Sequence, residues 1–188
     1  METGTKENFE YLRYISETTD AKAILRDLMT AYGDDVWNFA FSICRRVDLA
    51  QDITQDVFLK VYRRLGTFRG ESSVKTWLLT ITRNTALDYM RSSLFRRVMF
   101  VENVALPGAN RSAETEAIEK MNIRDIWKLV LKLPAKYREV LILSAHHRLS
   151  IKEIAEILGV SVGTVKSRLH HARLKVSKMR EHEARETV

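Results

Sequence analysis

The sequence predicts an all-α protein built from two small helical domains joined by a flexible linker. Three observations predict it. Only 7 of the 188 residues are Gly and 2 are Pro, and runs of β-branched residues are few, so little interrupts helices or favours strands. Apolar residues recur three and four positions apart in several separate stretches. Between those stretches, "RRVMFVENVALPGANRSAETE" (96–116) contains a Pro107-Gly108 pair and keeps no regular period, as a linker does. The expected bounds are an N-terminal extension at 1–20, a first domain at 21–95, the linker at 96–116 and a second domain at 117–182.

Each element has its own signal. A first helix over roughly Lys22–Arg46 places Val36, Phe39, Ala40, Ile43 and Val47 at helical spacing, with Cys44 on the same side as a core residue. A second, about Leu49–Leu65, lines up Ile53, Val57, Val61 and Leu65, and its other face carries Asp52, Gln55, Asp56, Leu59 and Arg63. "GTFRGESS" (Gly66–Ser73) breaks the period and reads as a loop. In "VKTWLLTITRNTALDYMRS", Val74, Trp77, Leu78 and Ile81 face inward, while Arg83, Asn84, Leu87 and Arg91 face outward. Three such faces can share one core. After the linker, helical patterning resumes near Ala117 with Met121, Ile126, Trp127 and Val130, and Pro134 opens a further helix, "PAKYREVLILSAHHR".

The C-terminal domain carries a helix-turn-helix pattern, "SIKEIAEILGVSVGTVKSRLHHARLKV". Ser150 and Glu153 have the S-x-x-E spacing of a capping box. Ile151, Ile154, Ala155 and Leu158 form the buried stripe of the first helix. Gly159 follows that helix, where a left-handed residue is needed, and Ser161 caps the next one. There Val165, Leu169, Ala172, Val176 and Met179 form one apolar seam. The opposite side presents Gly163, Thr164, Lys166, Ser167, His170 and His171, flanked by Arg168 and Arg173.

Charge points the same way. Residues 1–95 hold 13 basic and 13 acidic side chains, so the whole excess of +7 lies in the second half. Ser161–Arg180 contains six Lys or Arg and no acid. A carboxylate on this helix would face a DNA backbone and repel it, whereas cations there hold phosphates and let the first side chains reach base edges. A plain helical hairpin would explain the seam but not the acid-free outer face.

Other classes lack support. No apolar run reaches the length of a membrane span, and "METGTKENFEYLRY" has no basic start followed by an apolar block, so neither membrane insertion nor an export signal is expected. One cysteine allows no internal disulfide, and the cytoplasm is the expected location. The adjacent pairs His146-His147 and His170-His171 point about 100° apart on a helix, poor geometry for a shared metal. No nucleophile–base pair, phosphate loop or cofactor motif is present, so no enzyme, metal or cofactor is expected.

A helix-turn-helix leaves the class open, and the N-terminal half narrows it. "DLAQDITQDVFLKVYRRLGTFRGESSVKTWLLTITRNTALDYMRS" resembles the second region of bacterial sigma factors of the extracytoplasmic-function (ECF) group. "LPAKYREVLILSAHHRLSIKEIAEILGVSVGTVKSRLHHARLKV" resembles their fourth region. The likeness spans about Met29–Lys178, with both blocks in the family's order. It implies that Asp52, Gln55, Asp56, Leu59 and Arg63 dock on the clamp helices of the polymerase β′ subunit. It also implies that Phe68, Arg69, Ser72, Arg83 and Asn84 read the opened minus-ten element beside a flipped base. Gly163, Thr164, Lys166, Ser167, Arg168, His170, His171 and Arg173 match the minus-thirty-five reading positions. Implied partners are core RNA polymerase, including its β flap, promoter DNA and an anti-sigma factor. His170 and His171 stand where other residues are common in the family, so the promoter sequence is not transferable. Leu174, on the outer face, could meet an inhibitory partner. The alternative is a regulator with a LuxR-like helix-turn-helix that binds duplex DNA without polymerase, but residues 1–95 lack the strand–helix alternation of a receiver or ligand domain.

Overall fold

The computed structural model describes Leu12, residues 20–92 and residues 126–186. The expected linker, most of the N-terminal extension, and the start of the second domain at 117–125 lie outside the described residues. Among those described, all regular structure is helical, and the chain divides into two compact units.

The first unit holds α1 (Ala21–Cys44), α2 (Val47–Arg64) and α3 (Val74–Arg91). The Asp20 carboxylate accepts the Lys22 and Ala23 amides at 2.9 and 3.2 Å, satisfying donors that the first turn of α1 leaves open. That helix stops two residues short of the expected end because Arg45 turns left-handed, with φ of 57°. Consequently α2 starts earlier than expected, and Val47, its first residue, is exposed rather than part of the core stripe. The other expected stripe residues are buried: Val36, Phe39, Ala40 and Ile43 on α1, Ile53, Val57 and Val61 on α2, then Leu65, Val74, Leu78 and Ile81. Cys44 is buried too. Each large apolar side chain removed from water contributes roughly 1.5–3 kcal/mol, which is what holds three amphipathic helices together. Lys75 on α3 pairs with Asp35 on α1 at 2.9 Å.

Between α2 and α3 the expected loop opens with a single 3-10 turn, Leu65–Thr67. Gly70 then takes φ of 69°, which a side chain would strain. Ser73 caps α3, its hydroxyl accepting the Thr76 amide at 3.1 Å.

The second unit holds α4 (residues 126–132), α5 (Ala135–Ala145), α6 (Ile151–Leu158) and α7 (Val162–Glu186). Leu129, Leu133, Val140, Leu143, Ile154, Ile157, Val165, Leu169 and Ala172 are all nearly or fully buried. Arg138 is buried as well, and its guanidinium donates to the Leu131 and Leu133 carbonyls at 3.3 and 2.7 Å, satisfying acceptors at the end of α4. Pro134 sits at the cap of α5, one residue before the position expected for it. That helix ends at Ala145, so His146 and His147 lie in a turn and not on a helix. The 100° separation expected for them therefore does not apply.

Candidate nucleic-acid interface

The geometry of α6 and α7 follows from three local devices. Ser150 and Glu153 form the complete capping box: the serine hydroxyl accepts the Glu153 amide at 3.3 Å, and the glutamate accepts the Ser150 amide at 2.9 Å. Gly159 adopts φ of 61° and ψ of 40°, sending the chain out of α6 in the left-handed region. Ser161 then accepts the Thr164 amide at 3.1 Å and starts α7. Thr164 also has its hydroxyl 2.9 Å from that of Ser161, so this side chain belongs partly to the cap.

With its start fixed, the burial of α7 sorts its residues into two faces. Val165, Leu169 and Ala172 are buried, and Val176 and Met179, expected in the same seam, are half-buried. Gly163, Lys166, Ser167, His170, His171 and Arg173 are exposed, Arg168 is half-buried, and Leu174 is exposed. No acidic residue lies in the first turn, leaving the positive end of the helix dipole unopposed. The surface is cationic and solvated, as an anion-reading helix must be.

The fold adds two residues that the sequence pattern does not single out. Lys136 and Tyr137, at the start of α5, line a recess with Ser161, Gly163, Arg168 and His171. The Tyr137 ring lies 6.3 Å from that of His171, with Lys136 at 5.0 Å and Lys175 at 5.7 Å from its centroid. Cations at these distances are attracted to the face of the ring. No periodicity links α5 to the outer side of α7; only packing brings them together. Ile157, also outside the expected α6 stripe, is buried, while Ile151 and Ala155 are only half-buried.

In the first unit, the α2 face behaves as its spacing predicts. Asp52, Gln55, Leu59 and Arg63 are exposed, Leu59 retaining 53% of its surface. Asp56 is half-buried and accepts a hydrogen bond of 2.5 Å from the hydroxyl of Tyr89 on α3. That bond, with lesser help from partial burial and the charges of Asp56 and Asp52, pushes the Tyr89 phenol up to about 12. One turn further on, Lys60 donates to the Thr85 hydroxyl at 3.0 Å.

The loop residues divide. Phe68 is 8% exposed, its ring 5.0 Å from that of Trp77 and tilted by 49°. Trp77 is itself only half-buried, so it is less a core residue than its spacing indicates. Arg69 is exposed and Ser72 half-buried. On α3, Asn84 is exposed two turns beyond Trp77, and Arg83 is half-buried. The two aromatic rings thus anchor the loop to the helix that carries Asn84.

Comparison with known proteins agrees in both halves. Residues 28–94 match the family model described as Sigma-70 region 2, and residues 123–176 match Sigma-70, region 4. The chain is 33% identical over 156 residues to the RNA polymerase sigma factor YlaC of Bacillus subtilis (strain 168), covering 82% of this chain and 90% of that protein. It is 30% identical over 156 residues to the ECF RNA polymerase sigma factor SigW of the same organism, covering 78% and 83%. Among solved structures, the sigma factor RpoE in complex with the anti-sigma factor NepR, from Bartonella quintana, is similar with a TM-score of 0.70 and 29% identity, over 85% of this chain and 98% of that one.

Proposed function

The chain belongs to the ECF group of bacterial RNA polymerase sigma factors, and from that premise we propose how its two units share the work of starting transcription. As a sigma factor it binds core RNA polymerase and directs promoter recognition, melting and initiation. The LuxR-like regulator reading is not favoured.

The second unit reads the minus-thirty-five element as duplex. Gly163, Thr164, Lys166, Ser167, His170 and His171 enter the major groove, and Arg168 and Arg173 hold the flanking phosphates. Lys136, presented beside α7, adds a phosphate contact from the neighbouring helix. The first unit reads the minus-ten element as an opened strand. Unstacking costs roughly 1.4 kcal/mol per step, part of which an extruded base recovers by stacking and edge hydrogen bonds. Asn84, Arg83, Arg69 and Ser72 supply those polar contacts. Phe68, largely covered by its own fold, supports the wall formed with Trp77 more than it offers a free stacking face. Asp52, Gln55, Asp56, Leu59 and Arg63 meet the polymerase β′ clamp helices, a basic partner suiting the acids.

The chain performs no chemistry of its own; nucleotide transfer belongs to the polymerase, and the work is done in the cytoplasm. No helix of the described residues is long and apolar enough to cross a membrane. The Bartonella quintana relative bound to its anti-sigma factor supports control of this chain by a similar inhibitor.

The observation that carries this reading is the exposed cationic stretch of α7 from Val162 to Arg180, free of acids, in a helix-turn-helix whose first helix is capped at both ends and whose second is capped at its start. A footprint of the holoenzyme on promoter DNA tests it. Expected are groove protection near minus thirty-five, with no reactive thymines there, and permanganate-reactive thymines from the minus-ten element to the start site. Protection of one duplex site by the chain alone, with no reactive thymines after polymerase is added, would refute it.

A further inference from the structure

Two side-chain bonds join the helix assigned to polymerase docking to the helix assigned to strand capture. Asp56 and Lys60 lie one turn apart on α2, and Tyr89 and Thr85 lie one turn apart on α3. The pairs are Tyr89 to Asp56 at 2.5 Å and Lys60 to Thr85 at 3.0 Å. Asp56 is the one acid of the docking face that is held in this way; Asp52, one turn earlier, is exposed. A carboxylate has two oxygens, and the Tyr89 hydroxyl takes Oδ2, leaving Oδ1 as an acceptor for a second donor. Such a pair, half open to water, does little for the stability of the fold. Its larger effect is to fix one geometry of a side chain that must otherwise be ordered when the partner arrives.

We propose that Tyr89 is a positioning residue for the polymerase contact, holding the Asp56 carboxylate in the orientation that receives a basic group of the core enzyme. It acts through Asp56 and touches neither DNA nor polymerase. Through α3 it also ties the docked face to the helix bearing Asn84, so polymerase binding and strand capture share one polar seam. The inference rests on the docking role given to Asp56 above.

A double-mutant cycle on core affinity separates the two. The full-length chain, its Tyr89→Phe and Asp56→Ala variants and the double variant are labelled and titrated with purified core polymerase, with far-UV circular dichroism as the control for folding. Tyr89→Phe is expected to weaken binding about five-fold, the equivalent of the ~1 kcal/mol typical of one hydrogen bond. In the Asp56→Ala background the same change should have less than a two-fold effect, which a merely structural role for Tyr89 would not produce. If Asp56→Ala weakens binding and Tyr89→Phe does not, the inference fails and the docking role stands. Equal losses from Tyr89→Phe in both backgrounds overturn it as well. If Asp56→Ala itself changes nothing, the docking assignment falls and the inference falls with it.

Discussion

Gly163 sits in the first turn of α7, on the exposed side assigned to DNA, and offers a test in which stability and function move in opposite directions. A Cβ built there meets only the Ser161 hydroxyl, at 3.8 Å, which is ordinary contact. Gly163→Ala therefore introduces no clash inside the protein. It removes backbone freedom from the unfolded chain, an effect of roughly 0.4–1 kcal/mol, and the first turn of a helix belongs near the lower end of that range. For a unit of this size, ~0.5 kcal/mol raises the melting temperature by about 2–4 °C. The same methyl projects beside the recess lined by Lys136, Tyr137, Ser167 and Arg168. DNA whose major groove receives that surface must give way, and promoter binding by the holoenzyme is expected to fall roughly ten-fold, a loss of about 1.4 kcal/mol. Calorimetry of the full chain, whose two units need not melt together, and promoter binding at fixed salt are the two readouts. A stabilised variant with unchanged promoter binding would refute the placement of DNA against this side of α7. A destabilised variant would mean that position 163 does not tolerate a methyl group within the protein.

Asn84→Ala should impair transcription from a closed duplex promoter about ten-fold, and from a pre-melted template less; equal loss on both would exclude Asn84 from capture of the opened strand. Asp52→Lys combined with Asp56→Lys should weaken co-purification with core polymerase by about ten-fold or more, because two favourable charge contacts of up to ~1 kcal/mol each become repulsive; unchanged recovery would contradict the docking face. Tyr89, raised to about 12 chiefly by its bond to Asp56, should remain protonated when ordinary tyrosines have titrated. Because its folded value lies above the unfolded one, the stabilisation it brings is complete below pH 10 and disappears as pH rises towards 12. Phenol titration followed by NMR should show this residue moving down in Asp56→Ala, which removes the acceptor, and no movement would mean that the bond to Asp56 is not its cause.

Much of the fold is legible because one-dimensional spacing decides it. The stripes of α1, α2 and α3, the capping box at Ser150 and the left-handed Gly159 are local, and each is set by residues within a turn or two. The exposed side of α7 is legible for the same reason: a seam at Val165, Leu169 and Ala172 leaves Lys166, Ser167 and His170 outside. What escapes is tertiary or terminal. Val47 fits the stripe by number but follows the left-handed Arg45, which restarts the helix and rotates its first residue into water. His146 and His147 look helical until α5 ends at Ala145. Phe68 against Trp77, Tyr89 against Asp56 and Tyr137 beside His171 join residues 9, 33 and 34 positions apart on different segments. No period encodes such meetings, and they refine the site most.

The most direct measurement is transcription in vitro from genomic fragments of the source organism, using purified core polymerase with and without the chain. Discrete new start sites are expected that require the chain and disappear when the spacing between the two promoter elements is changed. Fragments bound by the chain but yielding no new starts, or transcripts indifferent to that spacing, would contradict this expectation.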